Sequence, residues 1–197
     1  MPDAAAAIRA RFAISRGRYR ENLPILVKPP RETLGLVYAD LGFTVGAEIG
    51  VRRGEYAEAI FTAHPGLLAY YAVDMWDLQQ DQYQRRRGRY LREARKRLAP
   101  YPVTFVKERS LAAVLMIPDA SLDFVYIDAA HDFDNVVQDL IQWSAKVKPG
   151  GIVAGHDYFQ HRYGGVVPAV DAYVRCHRIA PWYVTYEVMP SFFWVKP

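Results

Sequence analysis

The segment Val45–Gly54, V-G-A-E-I-G-V-R-R-G, constrains the fold more than any other part of the chain. An apolar run ends in Glu48, glycines follow at Gly50 and Gly54, and a helix-like segment runs from Glu55 to Ala63. That order predicts a buried strand, a tight turn and a helix start. Glycine lets a backbone take such a turn or lets a ligand approach it, and the helix start adds unpaired N–H groups. A second apolar run, Y-Y-A-V-D, closes on Asp74 about 20 residues after the turn, where an acid can accept hydrogen bonds from both hydroxyls of a ribose. The two runs together read as a place to hold a nucleoside.

The spacing narrows which nucleoside. A dinucleotide turn reads G-x-G-x-x-G and faces a pyrophosphate. Here Val51, Arg52 and Arg53 separate the two glycines, and the charge of Glu48 would repel a pyrophosphate. An acid at that point suits a ligand carrying an ammonium and a sulfonium.

The rest of the chain alternates helix and strand patterns. Arg85–Leu98 reads as a helix and Pro102–Val106 as a strand, with Ser110 placed to cap the short helix that follows. Asp123–Asp128 is a strand, and Phe133–Lys146 has helical spacing. Pro149-Gly150-Gly151 turns the chain into a strand at Ile152–Gly155, and Val166–Val174 is helical. Trp182–Val188 and Ser191–Val195 read as a closing hairpin. The expected fold is α/β: a three-layer Rossmann-like doubly wound sheet, mostly parallel, with a C-terminal antiparallel strand. Residues 1–40 read as a helical extension, a lid or a dimer arm, ahead of a main domain at 41–197.

Composition removes several function classes. A chain of 197 residues, 51% apolar, can bury a substantial core and is not a disordered binder. No apolar stretch approaches a membrane span, so no membrane partner is expected. The lone Cys176 excludes an internal disulfide and fits a reducing, cytoplasmic setting. The N-terminal segment lacks the apolar core of a signal peptide. Its Ala- and Arg-rich character suits an amphipathic helix, with an organellar transit peptide as the lesser reading. A net charge of +4 is mild.

Ligands of open parallel sheets bind outside the carboxyl ends of the strands. The expected strands end on Glu48, on Asp74, on Asp128 and on His156 with Asp157, although their interiors are apolar. Helix capping explains one or two such residues, not four strand ends.

Two longer segments carry a resemblance. They are S-L-D-F-V-Y-I-D-A-A-H-D-F-D-N-V-V-Q-D-L and W-S-A-K-V-K-P-G-G-I-V-A-G-H-D-Y. With the acidic-x-G-x-x-x-G pattern from Glu48 to Gly54, they resemble the class I S-adenosylmethionine-dependent methyltransferases. The likeness is to a small-domain subfamily with I-D-G-x-H-x-Y and P-G-G-x-x-x-G-H-D-Y motifs, which includes O-methyltransferases acting on sugars, antibiotics and other small molecules. It runs from Val45 to Val195 and is looser before that. Ala129 and Ala130 depart from the usual glycine-containing pair. Glu108-Arg109-Ser110 stands where many relatives read G-D-S, so Arg109 replaces an acid expected near the adenine.

The resemblance implies S-adenosylmethionine as cofactor and a small-molecule acceptor. Glu48 would face the amino acid end, Gly50 and Gly54 would shape the turn, and Asp74 would clamp the ribose. Met75 and Trp76 would pack on the adenine, Ser110 would reach its edge, and Asp128 would stand at the reacting end. Methyl transfer is an in-line displacement that needs alignment and, for a hydroxyl acceptor, a base. His131 is the leading base and His156 the runner-up. Structural histidines hydrogen-bonded to backbone are the plainer reading of both. Asp128, His156 and Asp157 form a candidate magnesium site, since divalent-metal O-methyltransferases place ligands at these strand ends; cofactor binding or loop capping is the alternative.

The stretch Arg85–Arg97 supports another reading, a methyltransferase directed at RNA or another nucleic acid, with Tyr83 and Tyr90 stacking on bases. A solvated basic helix is the simpler account. Base methylation is disfavoured. No N/D-P-P-Y/F turn follows the fourth strand, and Cys176 lies far from where a cytosine-attacking thiol is needed. A nicotinamide oxidoreductase lacks its third glycine here. A non-catalytic Rossmann-like binding protein remains as a contrast, and a homodimer as an assembly reading. Acceptor contacts are expected from residues 1–40, 76–90 and 158–165, including Tyr158, Phe159, His161 and Tyr163.

Overall fold

The computed structural model describes residues 3–14, 23–76, 78, 82–160 and 164–197. The strands are β1 (Ile25–Val27), β2 (Val45–Ile49), β3 (Ala69–Asp74), β4 (Val103–Lys107), β5 (Leu122–Ile127), β6 (Val147–Gly155), β7 (Trp182–Thr185) and β8 (Phe192–Val195). The α-helices are α1 (Ala4–Arg11), α2 (Thr33–Asp40), α3 (Glu55–Ala63), α4 (Gln84–Leu98), α5 (Ser110–Ala113), α6 (Phe133–Lys146) and α7 (Val166–Cys176). All strands join one sheet in the order β1-β7-β8-β6-β5-β2-β3-β4. Neighbours pair in parallel except β8, which runs antiparallel to both β6 and β7.

Successive strand residues point to opposite faces, so each face carries its own core. Phe124 and Tyr126 of β5 pack with Ile8 of α1 and Phe12 just after it, Leu34, Val37 and Tyr38 of α2, and Ile60 of α3. Val125 and Ile127 pack with Val136, Leu140 and Trp143 of α6 and Val170 of α7. The fold is thus a three-layer, mostly parallel sheet, as the strand and helix spacing predicts. Asp123 clasps its lower edge. The carboxylate accepts from the backbone N–H of Thr44 (2.7 Å) and Val45 (2.9 Å) and from Lys148 Nζ (2.6 Å), tying the starts of β2, β5 and β6.

Three local expectations change. Pro149-Gly150-Gly151 lies inside β6, where the register against β5 shifts between Leu122 and Phe124, instead of preceding the strand. The strand expected to reach Val188 stops at Thr185. Within the segment read as helical, Ile25–Val27 forms an edge strand on β7. Three residues carry no measurable period, and their pairing partner lies far along the chain. Among the described residues no helix is long and apolar enough to cross a membrane.

Candidate active site

The carboxyl ends of β2, β3, β5 and β6 open onto a cleft of about 750 Å³, within the size range of small-molecule sites. Its lining includes Glu48, Gly50, Asp74, Met75, Ser110, Asp128, His131, His156 and Asp157.

Glu48 is 2% exposed, and Tyr70 of β3 donates its phenol O–H to Oε2 at 2.9 Å. Burial pushes the carboxyl up to about 8 despite that hydrogen bond, and the nearby Asp128 charge adds to the rise. Gly50 has φ +96°, and a Cβ there would lie 1.9 Å from the carbonyl oxygen of Asp128. The sequence suggests that Gly50 makes room for a ligand. The structure adds that it makes room for the residue just after β5, Asp128, whose N–H donates to Ile49 O at 2.7 Å. That close approach sets Asp128 beside the end of β2.

Asp74 accepts from the backbone N–H of Arg52 and of Trp76, each at 2.7 Å. Burial raises its pKa against these two bonds. Each carboxylate oxygen keeps a lone pair for a further donor. Arg52, Trp76 and Asp157 follow strands β2, β3 and β6 with φ of +53°, +40° and +59°. Such left-handed non-glycine residues are strained and concentrate at functional rims.

Two candidates lie elsewhere. Trp76 is buried under its loop, where its indole N–H donates to Arg52 O at 2.8 Å and its ring packs 6.0 Å from Phe105. It is not among the cleft-lining residues, and Met75 alone represents that pair. Gly54 caps α3 in the left-handed region at φ +78°, and a Cβ there would press on Leu98 of α4 at 2.9 Å. Its role is helix packing.

Asp128 anchors the other end of the cleft. Its Oδ1 is 3.6 Å from His131 Nε2, and its Oδ2 is 3.5 Å from His156 Nδ1 and 3.8 Å from Arg31. Asp157 adds Oδ2 at 3.1 Å from His131 Nε2 and Oδ1 at 3.1 Å from His156 Nδ1. Burial alone would raise the Asp128 pKa, but the two imidazoles and Arg31 hold it well below the usual carboxylate range. Burial likewise opposes the charge on His156, yet Asp128 and Asp157 push that ring up to about 9. The His131 pKa is also raised, chiefly by its bond to Asp128 and against partial burial. Asp128, His131 and Asp157 each offer a ligand atom, all within 4.8 Å of one another. His131 therefore takes the place in the metal-capable group that the sequence assigns to His156.

Arg31 is a site residue that no sequence motif marks. It follows β1, its guanidinium lies 4.8 Å above the Tyr56 ring, and Nη1 donates to Tyr126 Oη at 3.3 Å. Asp139 is the second. Ser110 does not cap α5, where Arg109 holds the cap position; its hydroxyl donates to Asp139, and Trp143 Nε1 donates to Ser110 Oγ at 2.8 Å. Burial pushes Asp139 up to about 6. An acid inside the stripe Val136, Leu140, Trp143 was the signal available for it.

Tyr158 covers the sheet end, donating to Asp171 at 2.6 Å and packing edge-on against Trp182. His161 and Tyr163 lie outside the described residues. Arg86 and Arg89 of the basic helix, with Arg52 and Arg53 of the glycine turn, crowd the ring of Tyr90 at 4.5–5.9 Å, which leaves that residue 7% exposed and closed to stacking on a base. Glu93 pairs with Arg53 (3.2 Å) and Arg89 (3.3 Å), and Glu58 pairs with Arg97 (2.5 Å). Part of the helix's charge is thereby spent on holding the glycine turn.

Known proteins match this architecture. An O-methyltransferase from Bacillus cereus in complex with SAH superposes with a TM-score of 0.62 at 15% identity, covering 100% of this chain and 91% of that one. An O-methyltransferase from Streptomyces achromogenes, involved in tomaymycin synthesis and in complex with SAM, gives 0.61 at 16% identity over 100% and 91%. A precorrin-6y C5,15-methyltransferase from Geobacter metallireducens gives 0.61 at 14% over 84% and 87%. No protein of curated function matches by sequence. Those identities bear on the fold. A family model described as a methyltransferase domain matches residues 47–158, more than half of the chain, and spans the turn, Asp74, Asp128, His131 and the His156-Asp157 pair. The chain therefore belongs to that methyltransferase-domain family.

Proposed function

We propose that the protein transfers a methyl group from S-adenosylmethionine to a hydroxyl oxygen of a small molecule. One observation carries the reading: the acids at three strand ends, Glu48, Asp74 and Asp128, line a single cleft with His131 at one end. The residues fit the cofactor. Glu48, buried and reluctant to ionise alone, suits a ligand that brings an ammonium to it. Asp74, with lone pairs to spare, suits a ribose. When bound, the cofactor supplies an electrophilic methyl on a sulfonium.

The chain's own residues then align the acceptor and take its proton. His131 is the base of this proposal. It is half-exposed to the cleft, and its Nε2 faces two carboxylates that stabilise the imidazolium it becomes. His156 is held protonated near neutral pH, so it serves as a fixed positive partner for Asp128 and Asp157. Arg31 closes the acceptor side over Tyr56 and Tyr126.

Calorimetric titration with S-adenosylhomocysteine tests the reading. Binding is expected for the wild type and loss of at least about ten-fold in affinity for Asp74→Ala, with no heat from NADH. A wild type indifferent to S-adenosylhomocysteine sinks it.

A metal-assisted variant rests on the Asp128, His131 and Asp157 group. Two carboxylates and an imidazole fit a divalent ion that accepts nitrogen as well as oxygen, such as manganese, at least as well as magnesium. A bound ion would act as a Lewis acid on the acceptor hydroxyl. His131 cannot be ligand and base at once. Turnover that survives EDTA favours the base; turnover restored only by added Mn²⁺ or Mg²⁺ favours the metal.

A further inference from the structure

Helix α4 carries charge that neither the fold nor methyl transfer uses. Its residues Gln84–Leu98 hold eight basic side chains and one acid, Glu93. That excess is larger than the whole chain's net charge of +4, so the rest of the molecule is net acidic. The helix turns Tyr90, Leu91, Ala94 and Leu98 into the core. Arg85, Arg89, Arg92 and Lys96, spaced four, three and four apart, share the opposite, exposed face. They form a stripe about 16 Å long. Other arginines of the helix serve the fold: Arg97 pairs with Glu58, and Arg86 donates to the Tyr90 phenol. On the stripe, Arg89 pairs with Glu93. Among the described residues, Arg85, Arg92 and Lys96 have no carboxylate within ion-pair reach.

This arrangement works against the helix itself. Like charges at i,i+4, Arg85 with Arg89 and Arg92 with Lys96, repel each other. Arg85, Arg86 and Arg87 oppose the helix dipole in the first turn, where no acid offsets them. A face kept only for solubility mixes both signs. A single-sign stripe that costs helix stability is accounted for by a polyanion that neutralises it. We propose that the outer face of α4 binds the phosphodiester backbone of a nucleic acid without reading its bases. Seven of the eight cations are arginine, whose planar fork pairs with two phosphate oxygens at once. The apolar side chains of α4 all point inward, so the stripe has nothing to insert into a lipid surface. Tyr90 is closed to stacking, which leaves the backbone as the part that is held. The stripe residues are not among those lining the cleft. A bound strand therefore tethers the protein and leaves the cleft open, and the inference does not depend on what the cleft methylates.

Fluorescence anisotropy on the full chain tests it, with a labelled RNA strand of about 20 nucleotides and a DNA strand of unrelated sequence. Both are expected to bind alike, with log Kd rising against log salt at a slope of about 3 for four phosphate contacts. Combining Arg85→Gln, Arg92→Gln and Lys96→Gln is expected to lower that slope by about 2 and to weaken binding at least about ten-fold at about 0.1 M salt. Affinity for S-adenosylhomocysteine should not change. Arg92→Gln and Lys96→Gln alone, each lowering the slope by about 0.7, carry the test where the combined variant does not fold. Absence of binding at about 0.05 M salt, preference for one strand, or an unchanged slope in the variants overturns the proposal. Polyglutamate displacing the RNA as well as unlabelled RNA does assigns the face to an acidic protein. Binding only to phosphatidylserine vesicles assigns it to a membrane, and either result also overturns the proposal.

Discussion

Glu48 is where stability and ligand binding pull in opposite directions. In the free protein its buried carboxyl is largely protonated at neutral pH. An ammonium brought beside it draws the proton off, so binding of S-adenosylhomocysteine at pH 7 is expected to release protons, and less at pH 9. Titrations in buffers of different ionisation enthalpy count them. The folded pKa of about 8 lies above the ordinary 4.5, so the carboxyl's contribution to stability is present below 4.5 and lost as pH rises through 8. Glu48→Gln, which does not titrate, should raise the melting temperature of the ligand-free protein at pH 9 and weaken S-adenosylhomocysteine at least about ten-fold. A lower melting temperature at pH 9 contradicts the argument. His131 makes a kinetic counterpart. His131→Ala is expected to lower kcat by about 10²–10⁴-fold with little change in cofactor affinity. Because its pKa is raised, the acid limb of the rate profile should lie above 6.5, and Asp157→Asn should move that limb to lower pH. An unmoved limb would assign the proton transfer to another group.

At the scale of elements, the junction of β2 with β5 decides the site. Gly50→Ala would place a methyl 1.9 Å from the Asp128 carbonyl oxygen, far inside van der Waals contact, and hold a non-glycine residue at φ +96°. A loss above about 3 kcal/mol, read by urea unfolding, is expected. Asp123 makes the same junction at the opposite edge. Asp123→Ala leaves the N–H groups of Thr44 and Val45 without their acceptor, at a cost of about 2–3 kcal/mol. Most of these elements were legible beforehand. Phe133–Lys146 is a helix with the bounds its spacing implies, because an apolar stripe of four turns is a strong signal. The acids at the strand ends were legible too, since they interrupt apolar runs. Gly54 and Trp76 were not, because a glycine after a strand and an aromatic after an acid look alike whether they meet a ligand or their own chain.

At the scale of the molecule, the N-terminal helices complete the core. Ile8, Leu34, Val37 and Tyr38 are fully buried, and the Tyr38 ring stacks 3.9 Å from Phe124 at the sheet's centre. Arg31 reaches the cleft from the same segment. Removal of residues 1–40 is therefore expected to abolish cooperative unfolding, measured by circular dichroism during heating. A lid would come away without that loss. What the amino-acid order determined by itself is the series of elements, the parallel sheet and the acids at its carboxyl rim, because hydrophobic period and glycine turns are local properties. The tertiary structure alone decided that His131 faces both Asp128 and Asp157, that His156 is held charged, that Ser110 serves Asp139, and that Arg31 joins the site. Each of those depends on the burial of one group and the distance to another far along the chain, and both quantities exist only once the sheet has closed.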